Sequence, residues 1–597
     1  LARVLPGFPV AKGCLRGVRD WHEHAQGQRL GRRGCGGRPT GTGVEWNSRR
    51  RGVGDRGAGL VDEEENRAGA EGRDDSKRSQ PLEGPAHHYQ NRSWQPKVTR
   101  GSHIYDSAVS DEAIGHAPEL GARAVGNAVL VLGARTVSRV ISLVVVVVLA
   151  TALGDTGYGR YSTLLAYLAL VSVVADLGFN PLYTREAARN RKELGDYLGT
   201  LLILKLALAV AAGVILAIAL ALGAGLRELI VPGAVLLIAT AYANLLRNTF
   251  YAVGRAEFDA VAIVAEIAIQ AGLIVFGARR QAGVSYFVWA YAASFLFTVV
   301  YTLMVIRVFQ LGRVRLNFDL KLVQRWFPLA LPFAFTFFLT NLYFRADVPI
   351  LQHSRSFAEV GWYTFAYKPF EALQFVPLAI QVVVYPLLAV YHVSDSLRLR
   401  LAYARFFKVL ILLGWPLTIG TCVLAHPIGR LFRLFPESEP ALRILALGIV
   451  FLFANSAFYA MLNATNRQHL NAWATGIAAA INIVLNLIFV PLYGYLAASA
   501  TTVVTEASLC VFGWWFVQRN QTELRLPVFS LTWRVLLAGA LMGVVLYPMS
   551  RVSIAISLPA GAIAYLAAIY LIRAIEPEEW RLVRSGLLSS LLPNRAA

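Results

Sequence analysis

From about residue 127 the chain is a succession of apolar stretches of about 20 residues, separated by short polar loops. That is the length a helix needs to cross a bilayer. Fourteen crossings are expected, near 127–152, 158–179, 197–222, 227–248, 258–276, 284–308, 327–346, 366–391, 403–425, 440–463, 470–490, 493–517, 530–550 and 553–574. The loops leave no room for an inserted soluble domain, so the expected fold is all-α and polytopic. Residues 1–118 differ: they are rich in Gly and Arg, poor in aliphatic residues, and show neither a helical nor a strand period. They are expected to be a disordered leader or translated upstream sequence, since the first methionine is Met304; a start near Val98 or Val109 would fit. With no apolar core, the leader does not read as a signal peptide.

Composition agrees with the pattern. Of 597 residues, 56% are hydrophobic and only 16% charged, with a mean hydropathy of +0.50. Those values exclude an ordinary soluble enzyme. The net charge is +20, but the basic residues sit at span ends and not in one arm with interleaved aromatics. Nucleic acid is therefore not an expected partner. Loops after even-numbered spans, including Arg185, Arg189, Arg255, Arg313 and Arg398, carry roughly twice the basic residues of the other loops. The positive-inside rule then places those loops and both termini in the cytoplasm, with the protein in the plasma (inner) membrane. Cys14, Cys35, Cys422 and Cys510 lie far apart, so neither a disulfide framework nor a metal site is indicated. No cofactor is expected.

The spans repeat. GDTGYGRYSTLLAYLALV (154–171) follows the first, and AEVGWYTFAYKPFEALQF (358–375) follows the seventh. Phe-Tyr-Ala recurs at 250–252 and 458–460. Two parallel copies of six spans are the plan of a transporter with a central site. The expected organisation is a first lobe at 119–310, a second at 326–518, two added spans at 530–574 and a cytoplasmic tail at 575–597. Prolines 328, 332, 377, 386 and 416 fall inside spans, where broken helix bonds are tolerated beside a cavity. The TGYG string at 156–159 resembles a potassium-filter sequence, but it sits in an interhelical loop and the repeat explains it. No Walker loop, HExxH or GxSxG elbow is present.

Four motifs carry a family resemblance: PFAFTFFLTNLYFRADVPIL (332–351), EVGWYTFAYK (359–368), NTFYAVGRAEF (248–258) and NIVLNLIFVPLYGYLAASATTVVTE (482–506). Together they resemble the polysaccharide-biosynthesis (Wzx-type) flippases of the multidrug/oligosaccharidyl-lipid/polysaccharide exporter superfamily, over roughly 121–574. The resemblance implies a V-shaped, MATE-like transporter with fourteen helices and no enzymatic activity. Its cargo would be a polyprenyl-(pyro)phosphate-linked glycan, moved among membrane lipids, with glycosyltransferases or a polymerase of the same pathway as further partners. The alternatives are a multidrug or cation antiporter of the same superfamily and a membrane glycan polymerase. For the latter the outer loop near 426–440, with Glu437 and Glu439, leaves little room.

Ionisable side chains inside apolar spans are costly and mark function by default. Arg135 and Arg139, four apart, share a helix face with Ser138 and Ser142. Arg139 is expected to grip phosphate in the cavity, since the guanidinium fork matches phosphate oxygens. Arg135 is expected nearer the headgroups, by snorkelling, with the cavity as its other destination. Arg345 and Asp347 are expected either to pair at the outer end of the seventh span, Asp347 orienting Arg345 in a cavity or gate, or to cap the boundary of that span. Lys368, beside Glu371, reads either as a second phosphate contact or as an interfacial anchor. Asp176, Glu266 and Glu506 are candidates for ion coupling, because burial disfavours the charged carboxylate; each could instead be paired, for example with Lys205. Asn482 and Asn486 are expected to bond neighbouring helices.

Overall fold

A computed structural model describes residues 117–575, except 224, 313, 434, 521–524 and 552, with side chains from Leu130 onward. The expected leader, the tail beyond 575 and Arg313 lie outside the described residues. All regular structure among these residues is helical.

Among the described residues, twelve helices are long and apolar enough to cross a membrane, so the chain is a multi-pass membrane protein. The expected fourteen differ from this count for a specific reason. Two of the twelve, Leu130–Asp176 and Gln468–Arg519, contain 47 and 52 residues, more than twice what one crossing needs. Each is interrupted at a single glycine, Gly154 (φ 67°, ψ 179°) and Gly494 (φ 62°, ψ −143°). That backbone region is essentially reserved for glycine. The corners expected as short loops are therefore one-residue breaks, with an arm of crossing length on either side. A second difference concerns the span expected at 366–391. Its helix begins at Phe357, capped by Ser356, whose Oγ accepts from Glu359 N at 3.3 Å. It runs to Leu373 and continues, after Gln374, as Phe375–Ser394.

That early start lets the two halves of the chain cross closely. A Cβ at Gly159 would collide with the Phe357 carbonyl, and one at Gly361 with the Asp155 carbonyl. The contacts are reciprocal, because small residues let two helix backbones approach within the membrane. Trp362 Nε1 donates to Asp155 Oδ2 across the same crossing at 3.2 Å. The crossing also exchanges core residues. Phe365 packs into the first-half core with Tyr158 and Phe287, while Ala166 packs into the second-half core with Tyr363 and Phe370.

The last two helices, Val528–Met549 and Ile554–Leu571, attach to the second half through Ser396–Val423. Gly539 makes room for Trp415, whose Nε1 donates to the Leu536 carbonyl at 3.1 Å. Tyr565 Oη donates to the Leu412 carbonyl at 2.8 Å.

Candidate functional site

A cavity of about 1890 Å³ lies among the helices. Its lining reaches the loop residues Arg191, Gly254 and Arg255 at one end and stops near Ser142 and Tyr291, short of the Gly159–Gly361 crossing. The polar lining comes from the first half of the chain, which also supplies apolar residues such as Val131, Leu132, Leu237, Ile263 and Ile267. Arg135, Ser138, Arg139 and Ser142 stand on one face of the first helix, as their spacing requires. Thr240, Asn244, Arg247, Asn248 and Tyr251 form a second polar stripe on Ile230–Ala252. The second half contributes only Phe333, Phe337, Phe375, Leu378 and Val382.

Six basic and four acidic side chains line this space, and all four acidic ones are tied to cations of the same lining, Glu257 to Arg255 near the loops and the other three deeper in. Asp176 Oδ1 lies 2.6 Å from Lys205 Nζ, which also donates to Asn180 Oδ1 at 3.2 Å. Arg247 Nε donates to Asp259 Oδ1 at 2.6 Å and its Nη1 to Glu266 Oε2 at 3.2 Å. Glu266 accepts further from Thr298 Oγ1 at 2.7 Å. Asp259 also accepts from the Tyr251 hydroxyl, and Tyr251 Oη in turn accepts from Arg135 Nη2 at 3.3 Å. A continuous chain of hydrogen bonds thus runs from Arg135 to Glu266. Arg139 is exposed to the cavity and has no hydrogen bond or ion pair among the described residues.

Arg135, expected among the headgroups, faces the cavity because Tyr251 on the neighbouring helix supplies an acceptor there. The expected Arg345–Asp347 pair is not formed. Glu371 lies between two cations, with Arg345 Nη2 at 3.0 Å and Lys368 Nζ at 2.8 Å. Asp347 opens the short helix Asp347–Ser354, accepts from its neighbour Val348 N at 2.8 Å, and takes the hydroxyl of Tyr363. Arg345, Lys368 and Asp347 line a smaller pocket of about 140 Å³ that shares Ser142, Gln270 and Tyr291 with the main cavity.

Of the three coupling candidates, Asp176 and Glu266 are the paired carboxylates just described. Glu506 is elsewhere, buried in the second half, where it accepts from Tyr343 Oη and Asn455 Nδ2, both at 2.8 Å. No cation pairs with it among the described residues. Asn482 and Asn486 lie nearby: Asn482 Nδ2 donates to Thr505 Oγ1 at 3.2 Å, and Thr501 Oγ1 donates to Asn486 Oδ1 at 2.8 Å. They join the two arms on either side of Gly494. Arg247 was missed as a site residue. It counts as a loop charge by position, yet the polar residues at 240, 244, 247, 248 and 251 give the helical stripe that reveals it.

The family description "Polysaccharide biosynthesis protein" matches residues 124–392, and MatE matches 332–488. The fold agrees: the chain superposes on "Lipid II flippase MurJ, inward closed conformation" with a TM-score of 0.62 and 15% identity, covering 74% of this chain and 99% of that one. The chain thus carries matches to polysaccharide-biosynthesis and MatE family models on a fold shared with these transporters. A multidrug resistance MATE transporter of the MOP superfamily, in an inward-facing conformation, superposes with a TM-score of 0.55 at 15% identity, over 65% of this chain and 95% of that one. Among curated proteins, an uncharacterized membrane protein of Methanocaldococcus jannaschii, MJ1068, is 26% identical over 110 residues. That alignment takes in 16% of this chain and only 22% of the relative.

Proposed function

We propose that this protein is a flippase that carries a polyprenyl-(pyro)phosphate-linked glycan across the plasma membrane by alternating access. The mixed lining of the cavity is the observation that carries the reading. An amphiphile with an anionic head and a hydrocarbon tail matches a lining that offers Arg135 and Arg139 from the first half together with Phe333, Phe337, Phe375, Leu378 and Val382 from the second. The volume favours a large cargo, since pockets for drug-sized ligands measure about 300–1,000 Å³. Arg139 is the primary phosphate contact, because its donors have no partner among the described residues; Arg135 assists, whereas Arg345 and Lys368, deeper in, are held by Glu371.

By the charge bias of the loops, the end lined by Arg191 and Arg255 faces the cytoplasm, so cargo enters from the side where it is made. An antiporter for organic cations has less support, because the wall carboxylates Asp176, Asp259 and Glu266 already hold Lys205 and Arg247. The same pairing leaves Glu506 as the carboxylate best suited to take up a coupling ion.

The test is transport of a fluorescent polyprenyl-phosphate glycan in proteoliposomes. A charge-assisted hydrogen bond contributes about 1.5–3 kcal/mol, so Arg139→Ala should lower cargo affinity roughly ten- to hundredfold while the protein still inserts. Unchanged transport by Arg139→Ala would refute the phosphate grip. Glu506→Gln should remove the dependence of transport on the proton or sodium gradient; a retained dependence would exclude Glu506 as the coupling group.

A further inference from the structure

The small pocket at the inner end of the cavity has a chemistry different from that of the cavity. Both halves of the chain build it, directly beneath their crossing, with Tyr158 and Tyr161 from one side and Tyr363 and Tyr367 from the other. Buried tyrosines normally find a hydrogen-bond partner for the hydroxyl. Several in this protein do: Tyr183 pairs with Thr249, Tyr343 with Glu506, and Tyr363 with Asp347. Tyr161 and Tyr367 do not. They are 5% and 8% exposed, line the pocket, and have no hydrogen bond among the described residues. Arg345 and Lys368, which also line the pocket, are both engaged by Glu371, and Asp347 is engaged by Tyr363, so the hydroxyls of Tyr161 and Tyr367 are left to donate and accept.

We propose that this pocket is a subsite for one uncharged, hydroxyl-rich ring: the first sugar of the cargo. The volume of about 140 Å³ corresponds to roughly four or five waters at about 30 Å³ each, less than a whole hexose, so one ring enters in part while the rest lies in the main cavity that the pocket joins at Ser142, Gln270 and Tyr291. Aromatic faces meet the C–H surface of the ring, while the hydroxyls of Tyr161 and Tyr367 exchange hydrogen bonds with its hydroxyls. The phosphate stays behind at Arg139 in the wider cavity, in the order in which a carrier lipid presents phosphate and then sugar. This subsite rests on the glycan-flippase reading above.

The experiment uses the full-length protein in lipid nanodiscs and two probes: polyprenyl phosphate bearing a single hexose (glucose, galactose and mannose in parallel), and the bare polyprenyl phosphate. The wild type should bind at least one glycosylated carrier about tenfold more tightly than the bare one. Tyr161→Phe combined with Tyr367→Phe, which keeps both rings, should bind every carrier as the wild type binds the bare one. Arg139→Ala should weaken all carriers alike and leave the tenfold ratio intact. Equal binding of all carriers by the wild type, or a ratio that survives the double variant, overturns the subsite and leaves the flippase reading standing. No binding of any carrier by the wild type overturns both.

Discussion

Lys205 and Arg139 face the same cavity under opposite conditions. The Lys205 side chain is 3% exposed and is fixed between Asp176 and Asn180, whereas Arg139 stands open. Removing one partner of a buried ion pair leaves the other charge uncompensated, at a cost of about 3–5 kcal/mol. Asp176→Asn should therefore lower the thermal midpoint in detergent clearly, and adding Lys205→Met should restore most of the loss. If the double variant were no more stable than Asp176→Asn, the pair would not be compensating charge. Arg139→Ala, by contrast, should leave the midpoint unchanged. The charges in spans were legible because ionised groups in hydrocarbon stand out along a sequence. Their partners were legible only in part: Lys205, offered as a possible partner, does pair with Asp176, but Tyr343 lies 163 residues from Glu506, and Glu371 took the place of Asp347 beside Arg345. Sequence proximity carries no information about which helix face meets which.

At the scale of elements, the two broken helices show what counting apolar runs captures and what it omits. The runs located the arms on both sides of Gly154 and Gly494, but the reversal itself takes one residue and leaves no polar loop to read. Gly494 is held from two sides. Glu359 Oε2 accepts from Tyr495 N at 3.2 Å, and Arg355 Nη2 donates to the Pro491 and Leu492 carbonyls, both at 2.8 Å. A glutamate thus satisfies the start of one arm while an arginine satisfies the end of the other, in the sense the helix dipole favours. Gly494→Ala should cost about 1–3 kcal/mol from backbone strain, and more because its Cβ would collide with the Glu359 carboxylate. Gly213→Ala, in a helix with open space around it, should be neutral or mildly stabilising. Thermal unfolding of the two variants side by side checks the contrast; equal midpoints would mean that the corner tolerates a side chain.

Across the whole molecule, the repeat read from GDTGYGRY and AEVGWYTF identified the stretches that meet. It did not reveal that they meet each other, nor that Gly159 and Gly361 are the points of contact. The asymmetry of the cavity was legible only in part: the arginines marked the polar lining, but nothing local distinguishes the phenylalanines that join it from those that face lipid. The crossing closes one end of the cavity, so transport requires it to open. Cysteines replacing Asp155 and Trp362, joined by a short thiol-reactive cross-linker, should stop transport without abolishing cargo binding. Undiminished transport in the cross-linked protein would show that cargo leaves by another route.

The charges that line the cavity belong to one half of the chain and the phenylalanines that line it to the other, and that division separates two kinds of selectivity. A chimera that takes its first half from a relative with another cargo should inherit the donor's choice of head. One that takes the second half should change the length or branching of hydrocarbon that it accepts and, through Tyr367, the first sugar. An inhibitor could follow the same partition, with an anionic end for one half joined to a hydrophobic edge for the other, holding the two together so that neither can swing.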